Sequence, residues 1–214
     1  KSPTDMGVNM AGNCIVDDEA CREASRNEII RRYFKALCDH KIGKNVDSEI
    51  FKLELLLNQA GLAVGDRAVE KQAHAVAERT GGAPAAAIEL PDGTVVTGKN
   101  GPLLGAASSA LLNALKKLAG IDHELPLISP SALEPIQKLK TMYFGSRNPR
   151  LHTDETLIAL SISASTNPAA QKALDAMPKL RNCQLHCSNR LSKVDLVTLR
   201  KLGLQVTMEP VHER

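Results

Sequence analysis

The sequence predicts an α/β fold in which a mixed sheet of about five strands is flanked by helices and preceded by a small helical subdomain. Two observations predict it. Two apolar runs flank Pro91, Asp92 and Gly93, and this turn sequence is typical of a β-hairpin. Near the end of the chain an extended run, a helical run and a second extended run follow one another. A right-handed crossover would make these two strands parallel.

Composition limits the class of protein. A chain of 214 residues can bury about 70% of its unfolded surface, and with 2% aromatic residues its core must consist of Leu, Ile, Val and Ala. The net charge of +3 predicts no nucleic-acid partner. Apolar runs are shorter than the roughly 18 residues of a membrane span, so we expect no membrane association. Five cysteines without a secretory segment predict reduced thiols and a cytoplasmic protein.

Residues 1–63 are predicted to form an N-terminal loop and a helical hairpin. An acidic first turn at Asp17 opens a helix that should end near Gly43, because carboxylates favour the positive end of a helix dipole. A second helix, capped by Asp47 or Ser48, should end at Gly61.

Residues 64–214 are predicted to form the α/β domain. It starts with a helix from Asp66 to Thr80. The hairpin follows, and after it comes a buried helix whose apolar face runs from Ala106 to Leu118. Gly120 should end that helix. The remaining predicted elements are a strand at Leu125–Ile128, helices at Ser129–Met142, Glu155–Thr166 and Pro168–Met177, a strand at Asn182–Ser188, a helix at Ser192–Leu202 and a strand at Leu204–Glu209.

The loop from Gly145 to Glu155 is one candidate site. Arg147, Asn148 and Arg150 suit an anionic ligand, because guanidinium groups bind carboxylate or phosphate in bidentate fashion. His152 is a catalytic candidate, a proton relay that an acidic neighbour would orient. The alternative is a purely structural loop, in which Thr153 or Asp154 caps the next helix and the arginines form surface ion pairs.

The N-terminal loop is a second candidate, because it combines short polar side chains with glycines that permit close backbone approach. Asp5 is its catalytic candidate. The alternative is a segment that merely caps the first helix. The predicted ligand-binding residues of this loop are Ser2, Thr4, Asp5, Asn9 and Asn13.

Cys183, His186 and Cys187 suggest metal binding at first sight. On an extended strand, however, side chains alternate, so both cysteines share one face and His186 lies on the other. We therefore expect the cysteines to be buried as small hydrophobic residues and predict no metal site. His74 receives no role.

The order of elements resembles the cytidine-deaminase-like fold. In those zinc enzymes a Cys or His and a catalytic Glu begin the first crossover helix, and a Pro-Cys-x-x-Cys turn follows the next strand. The corresponding positions here read Gly105, Ala106 and Ala107, and Ser129, Pro130 and Ser131. None of these can ligate zinc through sulfur or imidazole, so the resemblance implies the fold without the zinc chemistry.

A closer resemblance is to an uncharacterised bacterial family that is longer than this chain. Five runs carry it: SPTDMGVNMAG, IELPDGT, LEPIQKLK, GSRNPRLH and LIALSIS, which start at Ser2, Ile88, Leu133, Gly145 and Leu157. The resemblance implies that this chain is the C-terminal half of a larger protein. It also implies a partner in the missing N-terminal half, which would contain a glycine-rich, phosphate-loop-like stretch ending in Gly-Lys.

Two functions remain open. The first is an enzyme that binds a nucleotide or another anionic ligand between its halves, and the sequence predicts no particular cofactor for it. The second is a non-catalytic, deaminase-like module for ligand binding or for oligomerisation, and in either case we expect a homo-oligomer. If Asp5, Asn9, Arg147 and His152 lay in one cleft, the enzyme would be favoured.

Overall fold

The computed structural model describes residues 17–65 and 67–211, and the chain divides into two compact units, Lys1–Asp66 and Arg67–Arg214. The first unit contains α1 (Asp18–Lys41) and α2 (Asp47–Ala60). Ile30, Phe34 and Leu57 form its small apolar core. The predicted helical hairpin is confirmed. Asp47 begins α2 as its first helical residue and Val46 is the N-cap, so the predicted cap was wrong.

The second unit is an α/β domain. Its helices cover a sheet of short strands, in agreement with the predicted α/β class. In chain order its elements are α3 (Ala68–Arg79), β1 (Ala85–Glu89), β2 (Val95–Lys99), α4 (Ala106–Ala119), α5 (Pro130–Lys138), α6 (Thr153–Ala164), α7 (Pro168–Asp175), β3 (Gln184–Cys187), α8 (Lys193–Lys201) and β4 (Gln205–Met208).

The sheet is mixed, with strand order β2-β1-β3-β4. β1 pairs antiparallel with β2, where Ala87 faces Thr97, and antiparallel with β3, where Ala87 faces His186. β3 and β4 are parallel, with His186 beside Thr207. The predicted hairpin and the parallel strand-helix-strand unit are both confirmed.

The sheet has four strands within the described residues, so the prediction of about five was wrong. The segment predicted as a strand at Leu125–Ile128 forms bends instead. Pro126 has no N–H to donate to a neighbouring strand, and the carbonyl of Leu127 accepts a hydrogen bond from the Asn167 side chain at 3.2 Å. Leu127 and Ile128 are nevertheless buried, so the apolar run marks core and not strand.

The faces of β1 divide the core. Ala86 and Ile88 belong to the main apolar core, together with the buried face of α4. Ala87 points the other way and packs against Val69 and Ala73 of α3. This alternation, which the two-residue period of a strand requires, places helices on both faces of the sheet.

The close packing of α4 on β2 depends on Gly98. A Cβ atom on Gly98 would lie 2.6 Å from the carbonyl oxygen of Ala106 and 2.7 Å from the Cα atom of Ala110. Only glycine fits at this point.

No helix in the described part of the chain combines the length and apolar character that crossing a membrane requires.

Candidate functional site

A cavity of about 400 Å³ lies where three helices of the second unit begin. Its walls come from the N-terminal ends of α4, α6 and α8 and from the segments that precede them. The lining residues are Asn100, Gly105, Ala106, Ala107, Ser108, Asn148, Arg150, Leu151, His152, Asn189, Arg190, Leu191, Ser192 and Asp195.

Backbone pairing explains why the helices begin side by side. Leu104 and Leu151 form an isolated parallel bridge, and directly after it Gly105 is the N-cap of α4 and His152 is the N-cap of α6. The third helix, α8, begins after β3 with Ser192 as its N-cap. Three positive helix ends therefore face one cavity.

The first residues of α4 line the cavity, and their backbone N–H groups have no carbonyl of the helix as a partner. The N–H of Ala106 donates to the side-chain oxygen of Asn100 at 2.8 Å. The next two N–H groups belong to Ala107 and Ser108, which lie in the first helical turn. The carbonyls four residues earlier, on Leu103 and Leu104, accept bonds from Leu151 and Gly101. Such helix termini favour anions.

His152 and Asp195 form an acid–base pair in the cavity wall. The Nδ1 atom of His152 lies 2.8 Å from Oδ2 of Asp195. The His152 side chain is 25% exposed and the Asp195 side chain 12%. Because the carboxylate accepts the proton on Nδ1, the other ring nitrogen of His152, Nε2, can exchange a proton with a ligand.

Asp195 also connects the starts of α6 and α8. Its Oδ1 accepts the backbone N–H of Thr153 at 2.8 Å, which caps α6, and its Oδ2 accepts the Ser192 hydroxyl at 2.7 Å. Burial would raise the pKa of Asp195. The hydrogen bonds from His152, Ser192 and Thr153 outweigh that effect and hold the pKa below its usual value.

We expect the pKa of His152 to lie above the usual histidine value of about 6.5. The hydrogen bond to Asp195 raises this pKa, and burial opposes the rise. The stability that the ion pair contributes is therefore complete below about pH 6.5 and is lost as the pH rises through the folded-state pKa of His152.

An NMR titration of the His152 ring measures this pKa, and Asp195→Asn should lower it. Asp154→Asn is the matched control, because Asp154 is adjacent in sequence and bonds instead to the N–H of Glu155. An equal fall in both variants would mean that Asp195 is not the carboxylate that sets the pKa.

Two arginines give the cavity its positive charge. Arg150 and Arg190 both line it, and the Nε atom of Arg150 donates to the carbonyl of Gly101 at 3.0 Å. The loop that carries Arg150 is fixed by buried Lys140, whose Nζ donates to the Arg150 carbonyl and to Glu155, both at 2.7 Å. The side chain of Arg150 is thus held in place by the fold.

The structure brings part of the predicted site together. Asn148, Arg150 and His152 all line the cavity. Arg147 is exposed and is not among the lining residues. The predicted caps Thr153 and Asp154 were wrong, because α6 begins at Thr153 with His152 as its N-cap. Ser2, Thr4, Asp5, Asn9 and Asn13 lie outside the described residues.

The acid that orients His152 was not found from the sequence. A neighbour such as Asp154 was expected, but the carboxylate comes from Asp195, 43 positions further along. The spacing of Ser192 and Asp195 matches a capping box, and Ser192 Oγ does accept the N–H of Asp195 at 3.1 Å. That pattern locates the start of a helix, but it does not indicate that Asp195 bonds to His152.

A second cavity, of about 560 Å³, lies beside β2 and α3 and is lined by Arg79, Lys99 and His123 among others. No hydrogen-bonded acid–base pair lines it among the described residues. The smaller cavity, which contains the His152–Asp195 pair, is therefore the better candidate for an active site.

Cys183 and Cys187 lie in the main apolar core with Leu185, and burial raises the pKa of the Cys187 thiol. His186 lies on the opposite face of β3, where its Nδ1 atom is 2.9 Å from the Thr207 hydroxyl. The cysteines and this histidine therefore do not share a site.

Comparison with known proteins gives a family for both units. Residues 65–214 match the family model described as "Domain of unknown function DUF1846, C-terminal", and residues 1–61 match its N-terminal counterpart. The chain is 53% identical over its whole length to a "UPF0371 protein" of Corynebacterium glutamicum strain R. It is 49% identical over 99% of its length to a "UPF0371 protein" of Streptococcus pneumoniae serotype 19F strain G54. The chain spans 43% of the length of each of these relatives.

Proposed function

Because the chain belongs to the DUF1846 family, a family of unknown function, its chemistry must be argued from the site, and we propose that it supplies the anion-binding and acid–base part of an enzyme active site. The substrate class is a small molecule with a phosphate or a similar anionic group. The observation that carries the proposal is the 2.8 Å bond between His152 and Asp195 in a cavity at three helix N-termini.

The anionic group would bind at the start of α4. Ala107, Ser108 and Arg190 line the same cavity, and backbone N–H groups at a helix start and guanidinium groups both donate to phosphate oxygens. Within the described residues, the one carboxylate in the lining is Asp195, and it accepts three hydrogen bonds from neighbouring side-chain and backbone groups. Its repulsion of a bound anion is thereby reduced.

His152 would transfer the proton. With Nδ1 bonded to Asp195, Nε2 can accept a proton from a reacting group beside the bound anion, or donate one to it. Histidine is the side chain that most often acts as a general acid or base. The shift in the pKa of His152 comes first from its hydrogen bond to Asp195, so Asp195 is a positioning residue.

We also propose that the second unit has a cytidine-deaminase-like fold without the zinc site. Its supports are the hairpin that precedes α4 and a sheet in which β1 runs antiparallel to its neighbours. At the helix start where those enzymes hold zinc, this chain has Gly105, Ala106 and Ala107. Their backbone N–H groups suit an anion and their side chains do not suit a metal.

We also propose that the complete protein binds a nucleotide or another anionic ligand between this chain and the part of the relatives that it does not span. The predicted contacts of Ser2, Thr4, Asp5, Asn9 and Asn13, with Asp5 as a second catalytic candidate, belong to this larger proposal.

Isothermal titration with inorganic phosphate and with adenosine monophosphate tests the anion site. Arg190→Gln should weaken binding about tenfold or more, because a charge-assisted hydrogen bond contributes about 1.5–3 kcal/mol. Arg147→Gln is the matched control, an exposed arginine of a loop that also contributes to the cavity, and should leave the affinity unchanged. Equal affinities for the two variants would contradict the assignment.

A non-catalytic role in assembly is the second candidate. It is favoured by Met142, Tyr143 and Phe144, which are 68%, 73% and 75% exposed, an apolar run that a homo-oligomer could cover. The two candidates differ in one measurable respect, because only the first requires a chemical rate that depends on His152.

A further inference from the structure

A second cluster of chemically capable side chains lies on the face of the sheet opposite the main core. It consists of His186 on β3, Glu209 directly after β4 and His74 on α3. One ligand atom from each residue lies within 4.8 Å of the other two. We propose that these three residues form a binding site for a divalent transition-metal ion of the zinc class.

The spacing of the ligand atoms supports this. Tetrahedral zinc holds nitrogen and oxygen ligands at about 2.0–2.1 Å, which places neighbouring ligands about 3.3 Å apart. Oε1 of Glu209 lies 3.3 Å from Nε2 of His74 and 3.5 Å from Nε2 of His186. Two of the three edges are therefore already close to the length that zinc requires.

The orientation of buried His186 also suits a metal ligand. The Thr207 hydroxyl donates to the carbonyl of Leu185 at 3.2 Å and accepts from Arg67 at 2.7 Å. Its oxygen also lies 2.9 Å from Nδ1 of His186, so this second hydrogen bond orients the ring. Nε2 is then the ring nitrogen nearest Glu209, and it is the atom that would ligate the metal. Metal-ligating histidines are oriented by such second hydrogen bonds.

A cation also fits between His186 and Glu209. Nε2 of His186 and Oε1 of Glu209 lie 3.5 Å apart, and a metal ion bound by both would take the place of a proton between them. The nearby buried carboxylate of Glu70 is already paired with Arg67, through a bond of 2.7 Å from Nε, and so does not compete for the ion.

The fold holds His186 and the backbone of Glu209 in place and leaves His74 adjustable. His186 is fully buried in a strand paired on both sides, and the N–H of Glu209 donates to the carbonyl of Cys187 at 3.0 Å. The side chain of His74 is 48% exposed. It can rotate to shorten the remaining edge, and it gives the ion a path from solvent.

Two imidazoles and one carboxylate are a ligand set of catalytic zinc, which keeps a fourth position open for water or for a substrate. This site uses neither His152 nor the cavity at α4, so it stands or fails independently of the function proposed above. It also departs from the expectation of no metal site, because 112 positions separate His74 from His186 and no short ligand motif marks the three residues.

Isothermal titration of the chelator-treated protein with Zn²⁺ tests the proposal. We expect one ion per chain, and His74→Gln and Glu209→Gln should each weaken binding at least about tenfold. Both positions are partly exposed, so these variants should fold, which circular dichroism checks. His123→Gln is the matched control, because His123 is an exposed histidine beside the carboxylate of Glu124.

Substitution by Co²⁺ identifies the ligands. The site predicts a visible spectrum of low-coordinate cobalt without a thiolate charge-transfer band. A thiolate band would assign the ion to cysteine and overturn the proposal. No binding of Zn²⁺ by the unmodified protein, or an equal loss in the His123 variant, would overturn it as well.

Discussion

Gly98→Ala should lower the free energy of unfolding by about 3 kcal/mol or more, because overpacking a rigid contact is among the costly substitutions. The added Cβ would meet backbone atoms of α4, at 2.6 Å from the Ala106 oxygen and 2.7 Å from the Ala110 Cα. Backbone cannot move aside as a flexible side chain can, so α4 must shift away from β2. At this chain length, 3 kcal/mol corresponds to a fall in Tm of about 6–12 °C.

Gly101→Ala is the matched control for this experiment. It lies three residues further along, and its added Cβ would have the oxygen of Leu104, at 3.9 Å, as its nearest neighbour. We expect a change in Tm of at most about 2 °C. Thermal unfolding followed by circular dichroism compares the two variants. A similar Tm for both would show that α4 does not pack against β2 as closely as described.

Asp195→Ala should have the second-largest effect on stability, again about 3 kcal/mol. The substitution removes the acceptor for the N–H of Thr153, a fully buried residue. A lost helix cap costs about 0.5–2 kcal/mol, and a buried donor without an acceptor about 1–3 kcal/mol. The ring of His152 and the hydroxyl of Ser192 lose the same partner.

Chemical denaturation measures this effect. Asp154→Ala serves as the control, since Asp154 is a partly exposed carboxylate in the first turn of α6 and accepts the N–H of its neighbour Glu155 at 2.8 Å. We expect the Asp154 variant to lose less than about 1 kcal/mol. If Asp195→Ala lowered the free energy of unfolding by as little, Asp195 would not connect the starts of α6 and α8 as described.

Much of the fold could be predicted because its signals are local. The turn at Pro91–Gly93, the alanine and leucine face of α4 and its stop at Gly120 each depend on neighbouring residues, and each is confirmed. The prediction of a strand at Leu125–Ile128 was wrong for a physical reason. Apolar side chains are enough for burial, but a strand also needs backbone hydrogen-bond partners, and Pro126 lacks an N–H.

The candidate site could be predicted only where it lies on one loop. Asn148, Arg150 and His152 come from a single segment, whose arginines and histidine already suggest an anion and a proton. Asp195 and Arg190 come from the region around the start of α8. The start of α4 offers backbone N–H groups, and these cannot be recognised from the type of side chain at those positions. Pairings across 43 or 112 positions depend on the folded topology, which residue spacing does not encode.

The central claim is that a phosphate group binds at the start of α4 beside His152. An NMR titration of the backbone amides with inorganic phosphate tests it most directly. The account predicts that the amide signals of Ala107 and Ser108 and the ring signal of His152 shift together and saturate at one dissociation constant, while the first-turn amides of α3 do not shift. Equal shifts at the start of α3, or no saturable shift at Ala107 and Ser108, would contradict it.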